Sequence, residues 1–232
     1  MSLRNVFMLS VLLASLITCD ALAQRGYNSM KLKKTKAQLA CPLLDNSQYP
    51  YHGIGLKLGD PFAITYKFYL SKNFGIVVDF GKAASGLYNK YYREKFGEYI
   101  NVDTAQNGQV DYLTHRVKAD WVGELKFLWH FDAEKITPGL KIYFGVGPEV
   151  KMTEIEYKYV YTSENSSGNF NELGTFTRQR NTFGPQVSLG IEYSYFQIPI
   201  SAFMEIEMFN DVSLDPGWHR FEGGVGLRYI FK

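Results

Sequence analysis

From Tyr51 to the C terminus, apolar and polar residues alternate with a period of two, and no segment carries a convincing 3.6-residue stripe. Eight runs can be read. In the first, Ile54, Leu56 and Leu58 alternate with Gly53, Gly55 and Lys57; in the second, Phe62, Ile64, Tyr66, Phe68 and Leu70 alternate with Ala63, Thr65, Lys67 and Tyr69. The third sets Phe74, Ile76, Val78 and Phe80 against Gly75 and Asp79, and the fourth sets Trp121, Leu125, Phe127, Trp129 and Phe131 against Asp120, Glu124, Lys126 and His130. The fifth (Leu140 to Lys151), sixth (Phe183 to Tyr195), seventh (Ile200 to Met208) and eighth (Arg220 to Phe231) repeat the pattern. An even number of short antiparallel strands predicts an all-β fold, a closed eight-stranded β-barrel. Connections at 71–73, 132–139 and 196–198 are short, whereas those at 82–118, 153–181 and 210–219 are long, with Asp60-Pro61 as the exception. That is the asymmetry of a transmembrane barrel, with short periplasmic turns and longer extracellular loops.

Alternation alone does not say which face is inside, but volume does. An eight-stranded barrel has room only for a filling of side chains, and the tryptophan-rich and phenylalanine-rich face would overfill it. The other face alternates glycines with charges. On this assignment the lumen receives Lys57, Lys67, Lys126, Lys141, Lys151, Arg220 and Arg228 with Asp79, Asp120, Glu124, Glu149, Glu192, Glu205, Glu207 and Glu222, a nearly matched set. Buried ions are tolerated when paired, so these residues predict a closed ion-pair network rather than a channel. Trp121, Trp129, Phe131, Tyr193, Tyr195, Tyr229 and Phe231 fall near strand ends, where aromatic rings sit at a lipid interface.

Two features interrupt the pattern. Pro148 and Pro185 each remove a ladder hydrogen bond, which predicts bulges near the outer rim. After Met152 the apolar positions switch from even to odd (Ile155, Tyr157, Tyr159, Tyr161), which predicts one extra residue near Thr153 and a hairpin above the membrane. In that hairpin residues 154–162 would pair with 175–180 across 163–168.

Residues 1–23 combine Arg4, an apolar run and Ala21-Leu22-Ala23, the plan of a cleavable signal peptide with cleavage after Ala23. The alternative is a lipid-modified Cys19 after Leu16-Ile17-Thr18. Residues 24–50, with Lys31, Lys33, Lys34 and Lys36, read as a basic periplasmic linker, and residues 51–232 as the barrel. The composition is 46% hydrophobic and 16% aromatic, with a net charge of +2, which carries no footprint for nucleic acid and excludes a disordered chain. No later stretch approaches the roughly 18 apolar residues of a membrane helix.

The opening Gly-Ile-Gly-Leu-Lys-Leu-Gly-Asp-Pro-Phe-Ala-Ile-Thr-Tyr-Lys-Phe-Tyr-Leu hairpin and the closing Gly-Gly-Val-Gly-Leu-Arg-Tyr-Ile-Phe strand resemble the eight-stranded outer-membrane barrels of the OmpA and OmpX kind. The resemblance covers residues 51–232 and implies outer-membrane lipid and the barrel-assembly machinery as partners, although Lys232 departs from an aromatic last residue. It specifies an architecture and no task.

The chemistry points first to a non-enzymatic surface protein, whose loops serve envelope structure, adhesion or partner binding. Tyr88, Tyr91, Tyr92 and Arg93 in the long third connection, with Tyr157, Tyr159 and Tyr161 in the hairpin, are residue types favoured at contacts. A lipid-modifying barrel enzyme would need a nucleophile and a base at the outer rim, where Asp211, Ser213, Asp215 and His219 cluster in no defensible motif. A secreted lipocalin-like binding barrel would reverse inside and outside. The scattered histidines predict no metal site, and no cofactor is expected.

Overall fold

The computed structural model describes residues 49–84, 88–100, 108–165, 168–194 and 198–232. The expected signal peptide, nearly all of the linker, Cys19, and Tyr195 lie outside the described residues. Eight strands run in chain order around a closed ring: β1 (Tyr51–Asp60), β2 (Phe62–Tyr69), β3 (Phe74–Lys82), β4 (Gly108–Asp132), β5 (Leu140–Asn165), β6 (Gly168–Ser194), β7 (Ile200–Asn210) and β8 (His219–Phe231). Each is antiparallel to its neighbours, and β8 closes on β1 with Ile54 opposite Tyr229. A single helix among the described residues, α1 (Asn89–Tyr99), separates β3 from β4. The rim where β1 begins and β8 ends is the terminal rim; the other is the far rim.

Alternation sorts the side chains as a water-soluble barrel never would. Leu189 is 59% exposed, Ile206 65% and Leu227 60%, while Lys57, Lys67 and Lys126 have no exposed surface. Apolar area facing outward on every strand is stable only in hydrocarbon, so the chain is a transmembrane β-barrel and the soluble-barrel reading fails. Rings gather at both ends of this band: Phe80 stacks on Trp121 (centroids 5.5 Å) near the far rim, and Phe74 packs edge-on against Trp129 (5.7 Å) near the terminal rim. Phe131, Tyr229 and Phe231 are exposed at the terminal end, and Tyr193 is half-buried there. Inside, glycine makes the room that volume demanded: a Cβ on Gly190 would strike the Tyr143 ring, and one on Gly226 the Phe203 ring. The interior also holds apolar groups among its charges, Val77, Leu128 and Tyr143 forming one cluster.

Three local expectations are corrected. Pro148 and Pro185 sit at no bulge; they face each other directly across the unbroken β5–β6 register. Two prolines can be opposite only in a pair that exchanges no ladder bonds, so neither costs anything between β5 and β6. The missing donor of Pro185 points toward β7, whose pairing with β6 begins one residue later at Gln186. Nor is there an extra residue at Thr153. The register shifts lie on β4, between Tyr112 and Thr114 and between Val117 and Ala119. Finally, most of the connections read as long loops are regular structure: 82–118 contains α1 and the first part of β4, and residues 154–162 pair with 171–179 rather than 175–180.

The parity change after Met152 has a different cause. Odd residues of β5 face inward without interruption, from Glu149 and Lys151 through Thr153 to Ile155 and Tyr157, all buried. What changes is the solvent. Below Thr153 the outward positions are apolar (Val150, Met152) and the inward ones charged; above it the outward positions are Glu154, Glu156 and Lys158 and the inward ones apolar. The outward side of β6 changes likewise, from Phe183 below to Asn181, Gln179 and Thr177 above. Lipid gives way to water at this level, so the inversion marks the membrane surface on the far side. The β3–β4 ladder ends at Lys82 opposite Trp121, and β7 ends at Asn210. Above that level β4, β5 and β6 continue as a three-stranded sheet, about a dozen residues or roughly 40 Å of strand.

Candidate functional site

Helix α1 is made by packing, not by capping. Its N-cap Tyr88 makes no side-chain cap bond, and its first turn has no acidic residue. Helices this short are marginal alone. It stands because Tyr92 and Phe96, one turn apart, are buried with Ile155 and Tyr157 on the inner face of the projecting sheet. Phe96 packs edge-on against Tyr112 (5.2 Å), Tyr157 stacks on Phe176 (5.2 Å), and the Tyr157 hydroxyl donates to the Tyr92 carbonyl (2.9 Å). His115 lies between Tyr92 and Tyr157, hydrogen-bonded to the Tyr112 hydroxyl (2.6 Å), and burial lowers its pKa.

The same helix spans the far mouth of the barrel as a lid. Tyr88 donates to Asp60 at the end of β1 (3.0 Å) and lies under the cations of Lys151 and Arg220, with Nζ and Cζ at 5.1 and 5.7 Å from its centroid. Tyr91 stacks on Trp218 (4.4 Å, 15°) in the β7–β8 connection. Asp215 is the latch: Lys95 Nζ (2.7 Å), Arg180 Nη2 (2.6 Å) and the Tyr91 hydroxyl all donate to its carboxylate. Burial alone would raise this carboxyl, but the hydrogen bonds from Lys95, Tyr91 and Arg180 outweigh it and hold it near 2.

A depressed carboxyl stabilises the folded form fully above its unfolded pKa, about 3.9, and loses that contribution as pH falls through the folded value. The latch is therefore expected to hold from neutral pH to about 4 and to release between about 4 and 2. Of the three tryptophans only Trp218 touches the lid, so its emission in a Trp121→Phe, Trp129→Phe background reads the transition. A midpoint at pH 5 or higher would show that Asp215 is not so held.

Beneath the lid the lumen charges form three levels. Nearest the far rim, Arg220 bridges Glu149 and Glu222, while Lys151 meets Asp120 (3.3 Å), which accepts the Thr153 hydroxyl (2.9 Å). In the middle, Lys126 reaches Asp79 (2.6 Å), Glu124 (3.1 Å), Glu205 (2.9 Å) and Glu207 (2.5 Å), and Lys57 pairs with Glu205 (3.0 Å), Glu124 (3.5 Å) and Glu207. Toward the terminal rim, Glu192 accepts from Lys67, the Tyr69 hydroxyl (2.5 Å) and Ser201 (2.6 Å), and Arg228 donates to Thr65 (2.9 Å) with its guanidinium 3.6 Å from the Phe203 centroid. Lys141 stands apart, half-buried at the terminal rim, and donates to the Lys72 carbonyl (3.2 Å).

The tyrosines expected at a contact surface divide. Tyr92 and Tyr157 are buried in the lid core and present nothing, because the sheet's inner face needs them against α1. Tyr88 is engaged with Asp60 and Tyr91 with the Asp215 latch, and Arg93 lies over the Tyr112 ring (5.5 Å). Tyr159 and Tyr161 line an open cleft with Glu172 and Leu173. In the outer-rim cluster Ser213 donates to Asp211 (2.9 Å) and accepts the Phe183 N–H (3.0 Å). His219 starts β8 opposite Asn210. The Asp211 carboxylate also accepts the backbone N–H groups of Ser213 (2.8 Å), Leu214 (3.3 Å) and Asp215 (3.3 Å), so it caps the turn that holds this cluster.

No family model matches the sequence, and no curated protein matches it. Among solved structures it is similar to bacterial outer-membrane β-barrels. The N-terminal β-barrel domain of Pseudomonas aeruginosa OprF is 13% identical, with a TM-score of 0.43 over 78% of this chain and 96% of that one. Ail, the attachment invasion locus protein of Yersinia pestis, is 9% identical with a TM-score of 0.38 over 78% and 96%. Acinetobacter baumannii CarO is 8% identical with a TM-score of 0.34 over 77% and 97%.

Proposed function

We propose that the protein is a non-enzymatic anchor of the bacterial outer membrane that displays a rigid, lid-braced sheet outside the cell and binds a partner protein along that sheet's open edges. The terminal rim, with its short turns, faces the periplasm, and the projecting sheet faces out. The observation that carries the reading is the side of β6 above β7, with which no strand pairs among the described residues. The Phe183 N–H and C=O point away from β5, toward Ser213 and Val212. By period two, the backbone groups of Asn181, Gln179, Thr177, Thr175 and Leu173 point the same way, above the last residue of β7. Such an edge is a template for an added strand. A filled lumen argues against a pore, and Ser213, whose hydroxyl is tied between the Asp211 carboxylate and the Phe183 N–H, argues against lipid modification.

Proline tests this selectively. At Thr175 and Thr177 it removes outward donors without touching the β5–β6 ladder, which takes its bonds from even residues of β6. A photo-reactive residue at Gln179 is expected to capture a protein on intact cells, and the Thr175→Pro, Thr177→Pro double variant to abolish capture while folding normally. Capture that persists in the double variant, or none in either protein, would overturn the edge reading.

A further inference from the structure

We propose that the far half of the lumen is a binding site for one divalent cation of the Ca2+ type, held by Glu124, Glu149 and Glu222. Side-chain oxygens of these three residues lie within 4.8 Å of one another, and all three residues are buried. The strand register forces like charges together. Asp79 is directly opposite Glu124, Glu124 directly opposite Glu149, and Glu207 directly opposite Glu222. Such pairs repel across a ladder, and here they lie in an interior that water does not screen.

Few cations are in direct contact with this group of carboxylates among the described residues. Six carboxylates, Asp79, Glu124, Glu149, Glu205, Glu207 and Glu222, share Lys57, Lys126 and Arg220. The neighbouring trio of Asp79, Glu124 and Glu207 has the same spacing, and its centre is already taken. Lys126 Nζ stands 2.6, 3.1 and 2.5 Å from those three carboxylates. In the second trio Lys126 and Lys57 reach only Oε2 of Glu124, and among the described residues no ammonium pairs with Glu149 or Glu222. Arg220 reaches Oε1 of Glu149 and Oε1 of Glu222 from one side. Among the described residues, no group donates to the buried oxygens Glu124 Oε1, Glu149 Oε2 and Glu222 Oε2. Unserved carboxylate oxygens on a buried, anionic cluster are what a hard cation binds, and Ca2+ accepts an all-oxygen, irregular shell more readily than Mg2+ does.

The full chain, refolded into detergent in chelator-treated buffer with CaCl2 and then desalted, is expected to carry about one calcium per folded chain by elemental analysis. The folded fraction is read from heat-dependent gel mobility. Calcium should raise the unfolding temperature of this protein, with MgCl2 and NaCl far less effective. Glu149→Gln and Glu222→Gln, which keep side-chain volume, should lower retained calcium more than ten-fold. If either variant fails to fold, the calcium content and the calcium-dependent unfolding temperature of the unaltered chain decide. A folded chain without calcium, with an unfolding temperature indifferent to CaCl2, would overturn the site and leave protons as the neutralising charge. So would calcium stripped at once by chelator from the folded state, which marks an exposed ion.

Discussion

Lys126→Met is expected to destabilise the barrel by about 3 to 5 kcal/mol, the cost of leaving buried charges without their partner. Lys126 is fully buried, and its single ammonium faces Asp79, Glu124, Glu205 and Glu207. Methionine fits the space and removes the charge, so the loss reports electrostatics rather than a cavity. Urea-driven unfolding of the refolded protein in lipid vesicles measures it. A second change, Glu207→Gln, should return part of the loss, since it removes one of the stranded anions and neighbouring sites do not add independently. A neutral Lys126→Met would mean that the lumen is wet enough for the carboxylates to be solvated, and the closed, ion-paired interior would be wrong.

Leu189→Arg is expected to cost about 2 to 4 kcal/mol in vesicles, the penalty for a cation on the lipid face near mid-depth. Leu189 lies on β6 between Phe183 toward the far rim and Tyr193 toward the terminal one, with Phe144 and Ile206 as its exposed neighbours on β5 and β7. The same substitution at Thr177, on the outward face above the membrane level, should change stability by no more than about 0.5 kcal/mol. The two together locate the boundary that the inversion at Thr153 implies. Equal effects at both positions would show that both lie in one solvent.

Much of the fold was legible because it depends on a local rule. Side chains at i and i+2 share a face whatever the rest of the chain does, so Ile142, Phe144 and Val146 declared a strand without reference to any partner. The volume of a small barrel then turned that face outward. The helix was missed although a signal was present: Tyr88, Tyr92, Phe96 and Tyr99 recur at spacings of four, four and three. Set among basic residues in a connection of some 35 positions between recognisable strands, they pass for surface tyrosines. The hairpin of β5 and β6 above the membrane is legible in the sequence, though not its register, whereas the third strand of that sheet, the first part of β4, is hidden because its alternation is that of a soluble protein, apolar inward, and two register shifts break its phase.

By itself the sequence determined the number of strands, their antiparallel order, the lipid-facing side and the charged composition of the interior, all of which follow from period two and from size. Only the tertiary structure decided which charges meet, because partners such as Glu124 and Glu149, or Lys57 and Glu207, are set by register around the ring and not by spacing along the chain. It also decided what the parity change at Met152 means. The backbone keeps its phase through that point, and the pattern inverts because the medium outside the sheet changes from hydrocarbon to water while the inside gains a helix to cover.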